Sequence, residues 1–341
     1  MDAKVCIAGK YRLEEKIGEG GMATVWRAIQ EPLDRPVAIK FLHATGRHDL
    51  SEMQQRFLSE AKVAAAVHHR NVVNILDFGT TEVGEPFMVM ELLEGESLHA
   101  RLLRDEPMPL TELIRIVTLT LRGLRAVHDA AIVHRDLKPE NIFLVRDADG
   151  VFPKLLDFGI SRSTRGGLGG LRSAVRTEDG LIIGTPQYMS PEQARGCPDI
   201  DKRTDIYAVG VILYEALTGR LPFEAEHPGD LLIKIATGER IPVEVIRPDI
   251  RPPLAAVINR ALEHDRAQRF PNAQAMQKAL QKAVAKERGL RGWSQLSSSM
   301  APPWNASLQP MSLAPAAAQL ATVPRQSPDA ALLESAPTVA T

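Results

Sequence analysis

The chain contains 341 residues, of which 44% are hydrophobic and 24% are charged, as is typical of soluble globular proteins. This length exceeds one usual hydrophobic core, so we expect two lobes or domains and additional segments. A formal net charge of −1 gives no electrostatic reason to expect binding to nucleic acid or to an anionic membrane.

The sequence predicts a soluble, cytoplasmic protein without a membrane span. Residues 1–6 lack a basic stretch followed by a long apolar run, which argues against a secretory signal, and Asp2 stands where N-myristoylation requires glycine. The apolar stretch from Ile206 to Leu217 contains Glu215 and is too short to cross a bilayer. Cys6 and Cys197 lack the spacing of a metal or redox motif, which is typical of reduced thiols.

Residues 11–91 are predicted to be mainly strand. Residues 37–42 and 87–92 are short runs rich in β-branched and large apolar residues, with turn residues between them. One helix, from Ser51 to Val67, is predicted to interrupt the strands, because Phe57, Ala61 and Ala64 fall on one helical face.

After residue 94 the pattern becomes helical. Thr111 is a candidate N-cap for a helix whose inner face is formed by Ile114, Val117, Leu121, Leu124 and His128. The stretch from Asp205 to Leu217 is apolar nearly all round and stops before Gly219, which predicts a buried central helix. A last helix is predicted from about Asn272 to Gly289.

The composition changes near Gly289 to alanine, proline, serine and glutamine. Such a segment buries too little apolar surface to offset its ordering entropy, so residues 289–341 are predicted to be a disordered tail. A solvated extension is the simpler interpretation of this tail. The alternative is a docking or autophosphorylation segment, because it contains several accessible hydroxyls: Ser294, Ser297, Ser298 and Ser299.

A glycine-rich segment, Ile17–Val25, opens the strand-rich part of the chain. Glycines allow backbone N–H groups to approach phosphate oxygens without a Cβ in the way, although such segments alone are common. Lys40 follows on a predicted strand and can neutralise phosphate charge, with Glu60 as its expected carboxylate partner. Each residue alone would be read as a surface charge, and their spacing relative to the glycines favours a shared role.

The most informative stretch is His134-Arg135-Asp136-Leu137-Lys138-Pro139-Glu140-Asn141, followed by Asp157-Phe158-Gly159. One carboxylate can accept a proton, while a second carboxylate and a carboxamide can hold a divalent metal ion. A lysine supplies positive charge where negative charge spreads during phosphoryl transfer. This constellation predicts transfer of a phosphoryl group from a metal-bound nucleotide.

The order of these motifs, together with Pro191-Glu192, resembles the eukaryotic-like Ser/Thr protein kinases of bacteria over residues 11–288. The resemblance implies an α+β, two-lobed protein kinase fold. Residues 11–93 would form a small β-rich N-terminal lobe, and residues 94–288 a larger, mainly helical C-terminal lobe. The cofactors implied are ATP and Mg²⁺, or Mn²⁺ in its place.

The resemblance also assigns roles to individual residues. Asp136 would accept or orient the substrate proton, Lys138 would support the transferred group, and Asn141 and Asp157 would hold the metal ion. Met90 would be the gatekeeper residue beside adenine. Backbone groups of Glu91 and Leu93 would form hydrogen bonds with the adenine. The full ATP-binding set implied is Ile17, Gly18, Glu19, Gly20, Gly21, Met22, Ala23, Thr24, Val25, Ala38, Lys40, Glu60, Met90, Glu91, Leu93 and Phe143.

The resemblance also implies roles for residues that select the substrate hydroxyl and for residues that stabilise the fold. Lys138 and Thr185 resemble Ser/Thr kinases rather than Tyr kinases. Asp205 would anchor the catalytic-loop backbone, and Glu192 and Arg269 would form a buried ion pair. Three positions depart from the usual family pattern without removing a catalytic group: Ala23, Ser190 and Arg266.

Arg135 precedes the catalytic aspartate and suggests regulation by an anion. The activation segment, residues 161–183, contains Thr177 and Ser173 as candidate autophosphorylation sites. Glu178 and Asp179 could instead satisfy Arg135 without phosphate.

Three functions are compatible with this fold. The first is an active, non-specific serine/threonine kinase acting on protein substrates, with a homodimer for trans-autophosphorylation. The second is a nucleotide-binding pseudokinase scaffold, although Lys40, Asp136, Asn141 and Asp157 are all present. The third is a small-molecule kinase, which should lack the activation segment. The sequence leaves open whether the chain is a fragment of a longer membrane receptor kinase.

Overall fold

The computed structural model describes residues 6–20, 23–43, 61–147, 150–157 and 186–285. Their first part is an antiparallel sheet of six strands in the spatial order β1-β2-β3-β4-β6-β5. These strands are β1 (Cys6–Ile7), β2 (Tyr11–Gly20), β3 (Ala23–Gln30), β4 (Arg35–Leu42), β5 (Ile75–Thr80) and β6 (Pro86–Glu91). Along β4, Val37, Ile39 and Phe41 alternate and pack with Tyr11 and Phe87, so the period of two directs one face into a core.

A second sheet has three strands. It consists of β7 (Gly95–Ser97), β8 (Ile142–Asp147) and β9 (Gly150–Leu155), in that spatial order. Leu155 at the end of β9 is bonded to the segment before β5, because its N–H donates to Asn71 O and Val73 N donates to its carbonyl, both at 2.9 Å. These bonds fix the residues that follow β9 relative to the first sheet.

The remaining described residues are mainly helical. The helices are α1 (residues 61–65), α2 (Leu98–Leu102), α3 (Leu110–Asp129), α4 (Pro191–Ala194), α5 (Arg203–Thr218), α6 (Pro228–Thr237), α7 (Val243–Ile246), α8 (Pro252–Ala261) and α9 (Ala273–Ala285). Two short 3₁₀ helices cover Pro139–Asn141 and Pro186–Tyr188. A strand-rich N-terminal lobe followed by a helical C-terminal lobe confirms the predicted α+β, two-lobed fold.

Helix α5 forms the centre of the helical lobe. Ile206, Val209 and Leu213 are each at most 1% exposed, and nearly all of its other side chains are buried too. The helix ends at Gly219, whose φ of 68° lies in the left-handed region. Glycine adopts this conformation without steric cost, and its N–H donates to Glu215 O at 2.8 Å. The predicted buried central helix is therefore confirmed.

The start of α3 differs from the prediction. Thr111 was expected to be the N-cap, but the helix begins at Leu110 and Pro109 occupies the cap position. The ring of Pro109 fixes its φ at −57°, and its carbonyl accepts the N–H of Leu113 at 3.0 Å. The ring holds Pro109 in the extended conformation that an N-cap adopts, and the first turn forms two residues earlier than expected.

The other predicted ends are only partly covered. Residues 61–65 of the helix expected over Ser51–Val67 are helical, and residues 51–60 lie outside the described residues. Helix α9 begins at Ala273 after Asn272, whose Oδ1 accepts the N–H of Ala275 at 2.8 Å. The predicted end near Gly289 and the tail 289–341 also lie outside the described residues. In the part of the chain that the structure describes, no helix has the length and apolar character needed to cross a membrane.

Candidate active site

The loop between α3 and β8 brings three sequence-predicted residues together. Lys138 Nζ lies 3.5 Å from Asp136 Oδ2. The short 3₁₀ helix Pro139–Asn141 then turns the chain back, so that Asn141 Nδ2 donates to Asp136 O at 2.7 Å and approaches Asp136 Oδ2 at 3.4 Å. A carboxylate, an ammonium and a carboxamide therefore meet at one point of the loop.

Asp205 holds this loop through hydrogen bonds to its backbone. It is only 1% exposed, and its two oxygens accept the backbone N–H of His134 at 2.9 Å and of Arg135 at 2.8 Å. The ring nitrogen Nε2 of His128 lies 2.8 Å from Asp205 Oδ2. Arg135 has a φ of 63°, a conformation that costs a non-glycine residue roughly 1–3 kcal/mol. The bond to Asp205 is one of the contacts that stabilise it.

Asp157 follows β9 and pairs directly with Lys40. Lys40 Nζ lies 2.6 Å from Asp157 Oδ1. Partial removal of the carboxylate from water would raise its pKa, but the charge of Lys40 and the hydrogen bond to it outweigh this effect, so the pKa of Asp157 lies below its usual value. Asp157 is therefore an anion at neutral pH and can bind a cation.

Two hydrogen bonds connect the loop between α3 and β8 to Leu156, the residue before Asp157. Leu156 N donates to Asn141 O at 2.9 Å, and the buried ring of His134 places Nε2 2.9 Å from Leu156 O. Asn141 and Asp157 are thus neighbours across this bonded segment. Because Nδ2 of Asn141 donates to Asp136 O, its Oδ1 is the side-chain atom that a metal ion would use. A carboxylate and an amide oxygen are ligands that hard divalent cations prefer, so these residues fit a metal ion of that kind.

The glycine-rich segment lies next to Lys40 in the first sheet. Gly18 pairs with Val25 across β2 and β3, and Val25 pairs with Lys40 across β3 and β4. Among the described residues, a Cβ on Gly18 would meet Val25 no closer than 3.5 Å, and one on Gly20 would meet Ala23 O at 3.8 Å. The packing of the protein therefore does not require glycine at these positions. Both positions leave room for an approaching phosphate group, so the segment fits a nucleotide in this respect.

The residues expected around adenine come from both sheets. Ala38 pairs with Met90 across β4 and β6, while Phe143 lies on β8 opposite Ser97. Glu91 fixes the end of β6. Its carboxylate oxygen Oε1 accepts hydrogen bonds from the backbone N–H of Asn74 and from Lys154 Nζ, each at 2.7 Å. Its own N–H donates to Asn74 O at 3.1 Å.

Glu192 and Arg269 meet as an ion pair inside the helical lobe. Arg269 donates to both carboxylate oxygens, at 2.7 and 2.8 Å, and its side chain is 0% exposed. Its remaining N–H groups donate to the carbonyls of Arg203, Glu263 and His264. The guanidinium also lies 4.8 Å from the ring centre of Tyr207. The buried charge is thus fully bonded, as a stable buried ion pair requires.

Several predicted site residues cannot be placed. Gly21, Met22, Glu60, Ser173, Thr177 and Thr185 lie outside the described residues. The expected pairing of Lys40 with Glu60, and the expected phosphorylation sites, remain predictions.

A family model describing the protein kinase domain matches residues 11–281 of this chain. The chain belongs to the protein kinase family. Members of this family use ATP and a divalent metal ion to phosphorylate proteins.

Curated relatives are bacterial kinases. The chain is 45% identical over 285 residues to the serine/threonine-protein kinase pkn3 of Myxococcus xanthus, covering 83% of this chain and 51% of that protein. It is 40% identical to pkn2 of the same organism, covering 80% of this chain and 32% of the relative. It is 37% identical to PknL of Mycobacterium tuberculosis, covering 82% and 67%. The chain therefore spans about half, or less, of the length of the two Myxococcus relatives.

Solved kinase domains share the fold. A crystal structure of the Mycobacterium tuberculosis PknI kinase domain superposes with a TM-score of 0.64 at 24% identity, covering 84% of this chain and 99% of that one. A second structure of the same domain gives a TM-score of 0.62 at 23% identity. At this identity the likeness concerns the fold alone.

Sequence analysis gave no role in the site to several residues that shape it. His128, His134 and Lys154 hold Asp205, Leu156 and Glu91, respectively. Gln193 donates from Nε2 to Arg135 O at 2.8 Å. The only signal in the sequence is their position beside recognised motifs, because each contact joins residues that are far apart in the chain.

Proposed function

We propose that this chain is an ATP-dependent protein kinase that transfers the γ-phosphoryl group to Ser and Thr hydroxyls of protein substrates. The observation that carries the proposal is the convergence of Asp136, Lys138 and Asn141 in one loop that is bonded to the residue before Asp157. Membership of the protein kinase family supports it.

Each side chain has a distinct task in this reaction. The carboxylate of Asp136 orients the acceptor hydroxyl and takes its proton as the oxygen attacks phosphorus. Lys138, 3.5 Å from Asp136, stabilises the negative charge that spreads over the transferred group. Lys40 binds the nucleotide phosphates below the glycine-rich segment.

Asn141 and Asp157 would hold the metal ion, which we propose is Mg²⁺, with Mn²⁺ as a substitute. When bound, the ion neutralises charge on the β- and γ-phosphates. Because the N–H of Glu91 already donates to Asn74 O, we propose that adenine bonds the carbonyl of Glu91 and a backbone group of Leu93. Ile17, Val25 and Ala38 would cover one face of the base, and Phe143 the other.

The alternative is a pseudokinase that binds nucleotide without transferring phosphate. The presence of Lys40, Asp136, Asn141 and Asp157 disfavours it, since loss of one of these groups is the usual route to an inactive kinase. A small-molecule kinase is disfavoured by the similarity to curated serine/threonine-protein kinases.

The proposal is tested by incubating the protein with γ-labelled ATP, Mg²⁺ and a generic basic protein, followed by phosphoamino-acid analysis. Label on serine and threonine that disappears with Asp136→Asn is the expected result. Label on tyrosine would contradict the hydroxyl class. Absence of Asp136-dependent transfer to protein, together with measurable ATP binding, would favour the scaffold.

Regulation is a further part of the proposal. We expect autophosphorylation at Thr177, with Ser173 as the second candidate and Arg135 as the cation that binds the phosphate. If this happens between two copies in a homodimer, the initial rate should rise with the square of protein concentration when the protein is dilute. A strictly first-order rate would exclude the step in trans.

A cytoplasmic location, where ATP is available, belongs to the same proposal, and cell fractionation tests it.

A further inference from the structure

Three buried polar side chains connect the starts of α4 and α5. Ser190 Oγ lies 2.5 Å from Thr204 Oγ1, and Thr204 Oγ1 donates to Gln193 Oε1 at 2.9 Å. All three residues are less than 10% exposed. Ser190 is also the N-cap of α4 and forms a capping box with Gln193. We call these three residues the α4–α5 network.

The network fixes which way the amide of Gln193 points. Ser190 N donates to the amide oxygen Oε1 at 3.1 Å. A backbone N–H is always a donor, so the NH₂ group cannot occupy that side. It must face the opposite side, where it donates to the carbonyl of Arg135 at 2.8 Å.

Arg135 is consequently held at both of its peptide groups. Its N–H donates to Asp205 Oδ1 at 2.8 Å, and its carbonyl accepts from Gln193. Its φ of 63° is unfavourable for a residue with a Cβ, so surrounding contacts must maintain it.

The next peptide group is also held. The carbonyl of Asp136 accepts from Asn141 Nδ2 at 2.7 Å. The peptide before Asp136 and the peptide after it are therefore each bonded by a side-chain amide, one from Gln193 and one from Asn141. Because the peptide groups on both sides of Asp136 are fixed, the direction of its Cα–Cβ bond is fixed too, and its carboxylate can reach only a few positions.

We propose that Gln193 is a positioning residue for phosphoryl transfer: its amide fixes the peptide that joins Arg135 to Asp136, and so aims the carboxylate of Asp136. This inference rests on the proposed kinase activity. A role limited to capping α4 makes a different prediction, because glutamate serves equally well in a capping box. Only glutamine supplies the N–H that Arg135 O accepts.

The substitution Gln193→Glu separates the two roles. It retains an oxygen for Ser190 and Thr204 and removes the donor to Arg135. We expect kcat to fall about 10- to 100-fold, since small misplacements of a catalytic group cost this much. The KM for ATP should change less than about twofold, because in the described part of the chain the side chain of Gln193 is bonded to Ser190, Thr204 and Arg135 and to none of the residues proposed to bind the nucleotide. The matched control is Gln281→Glu on the exposed surface of α9, which should leave both parameters unchanged.

A second variant and a second measurement keep the test decisive. Thr204→Val removes one donor to the amide oxygen, and its effect should be smaller than that of Gln193→Glu and less than additive with it, because both act through one amide. Backbone hydrogen exchange of residues 134–136 should be faster in Gln193→Glu than in Gln281→Glu, whether or not the protein is active.

The outcomes are distinct. A kcat within about threefold of the control in folded Gln193→Glu, or unchanged hydrogen exchange at residues 134–136, would overturn the positioning role. If Gln193→Glu does not fold, an unchanged kcat in Thr204→Val would overturn it instead. If the unmodified chain transfers no phosphate, the kinase proposal fails, and the hydrogen-exchange comparison still decides whether Gln193 orders the loop.

Discussion

Lys40 and Asp157 are in direct contact, with 2.6 Å between Nζ and Oδ1. Lys40 comes from β4 of the first sheet, whereas Asp157 follows β9 of the second. The contact therefore places the cation expected to bind nucleotide phosphates beside the carboxylate expected to bind metal. Because the pKa of Asp157 is lowered by this lysine, the site keeps its anion at neutral pH.

Replacing Lys40 should reduce transfer strongly without unfolding the protein. Lys40→Met removes the charge that binds phosphate and leaves Asp157 without its cation, so the pKa of Asp157 should rise toward its usual value. We expect kcat/KM to fall by about 10²-fold or more. Steady-state kinetics check this, with Lys278→Met on the exposed side of α9 as the control. Equal activities in the two variants would contradict the role of Lys40.

Gly18 and Gly20 of the glycine-rich segment should tolerate alanine structurally but not functionally. Among the described residues, a Cβ at Gly18 or Gly20 lies at least 3.5 Å from the nearest atom other than those of its chain neighbours, so the melting temperature should change little. The added methyl group would occupy the space that we propose receives the phosphate groups. We expect Gly18→Ala and Gly20→Ala to raise the KM for ATP several-fold. Unaltered KM values would show that the space is not used by the nucleotide.

The stability of the helical lobe should depend on the ionisation of Glu215. This side chain is buried, and its carboxylate accepts the hydroxyl of Tyr188 at 2.6 Å. Desolvation raises its pKa to about 7, with a further increase from the charge of Glu140, although the bond from Tyr188 acts in the opposite direction. When the pKa of a carboxyl group is higher in the folded than in the unfolded state, its contribution to stability is complete at pH values below the unfolded-state pKa. This contribution is lost as the pH rises through the folded value.

Glu215→Gln should therefore stabilise the protein at about pH 8 and have little effect near pH 4. The amide oxygen can still accept from Tyr188, and no charge is buried. The gain at high pH should be at most about 3 kcal/mol, the free energy that corresponds to the shift of this pKa. Urea unfolding at several pH values measures it, with the exposed Glu239→Gln as the control. The same gain at both pH values would refute the assignment of the pH effect to Glu215.

Breaking the Glu192–Arg269 pair should destabilise the fold. Arg269 is fully buried, and Glu192→Leu would leave its charge without an anion. Breaking such a pair from one side costs about 3–5 kcal/mol. The double variant Glu192→Leu with Arg269→Met removes both charges and should cost less than the sum of the single changes. Chemical denaturation gives all three values, and strict additivity would mean that the two charges do not interact.

Much of this arrangement follows from the sequence. The spacing of Asp136, Lys138 and Asn141 predicted that these residues act together, and the structure brings them together, while their chemical roles stay predictions. The apolar stretch from Asp205 to Leu217 predicted the central helix, because a helix buried on all sides needs no polar face.

Most of the features that were not predicted are tertiary contacts. Gln193 carries no local signal, since glutamine is common on helices and its bond to Arg135 spans 58 positions of the chain. The ion pair of Lys40 with Asp157 depends on how the two sheets meet, and strand patterns do not determine that. The start of α3 was placed two residues late because Thr111 has the residue type of an N-cap, whereas the backbone of Pro109 begins the helix.

The most direct measurement of the central claim is the single-turnover rate of phosphoryl transfer with ATP already bound. Asp136→Asn keeps the size of the side chain but cannot take the hydroxyl proton, and the exposed Asp129→Asn provides the matched control. We predict that Asp136→Asn binds ATP within about threefold of the unmodified chain and transfers phosphate at least about 10²-fold more slowly. Transfer at an undiminished rate by ATP-saturated Asp136→Asn would contradict the assignment of Asp136 as the catalytic base.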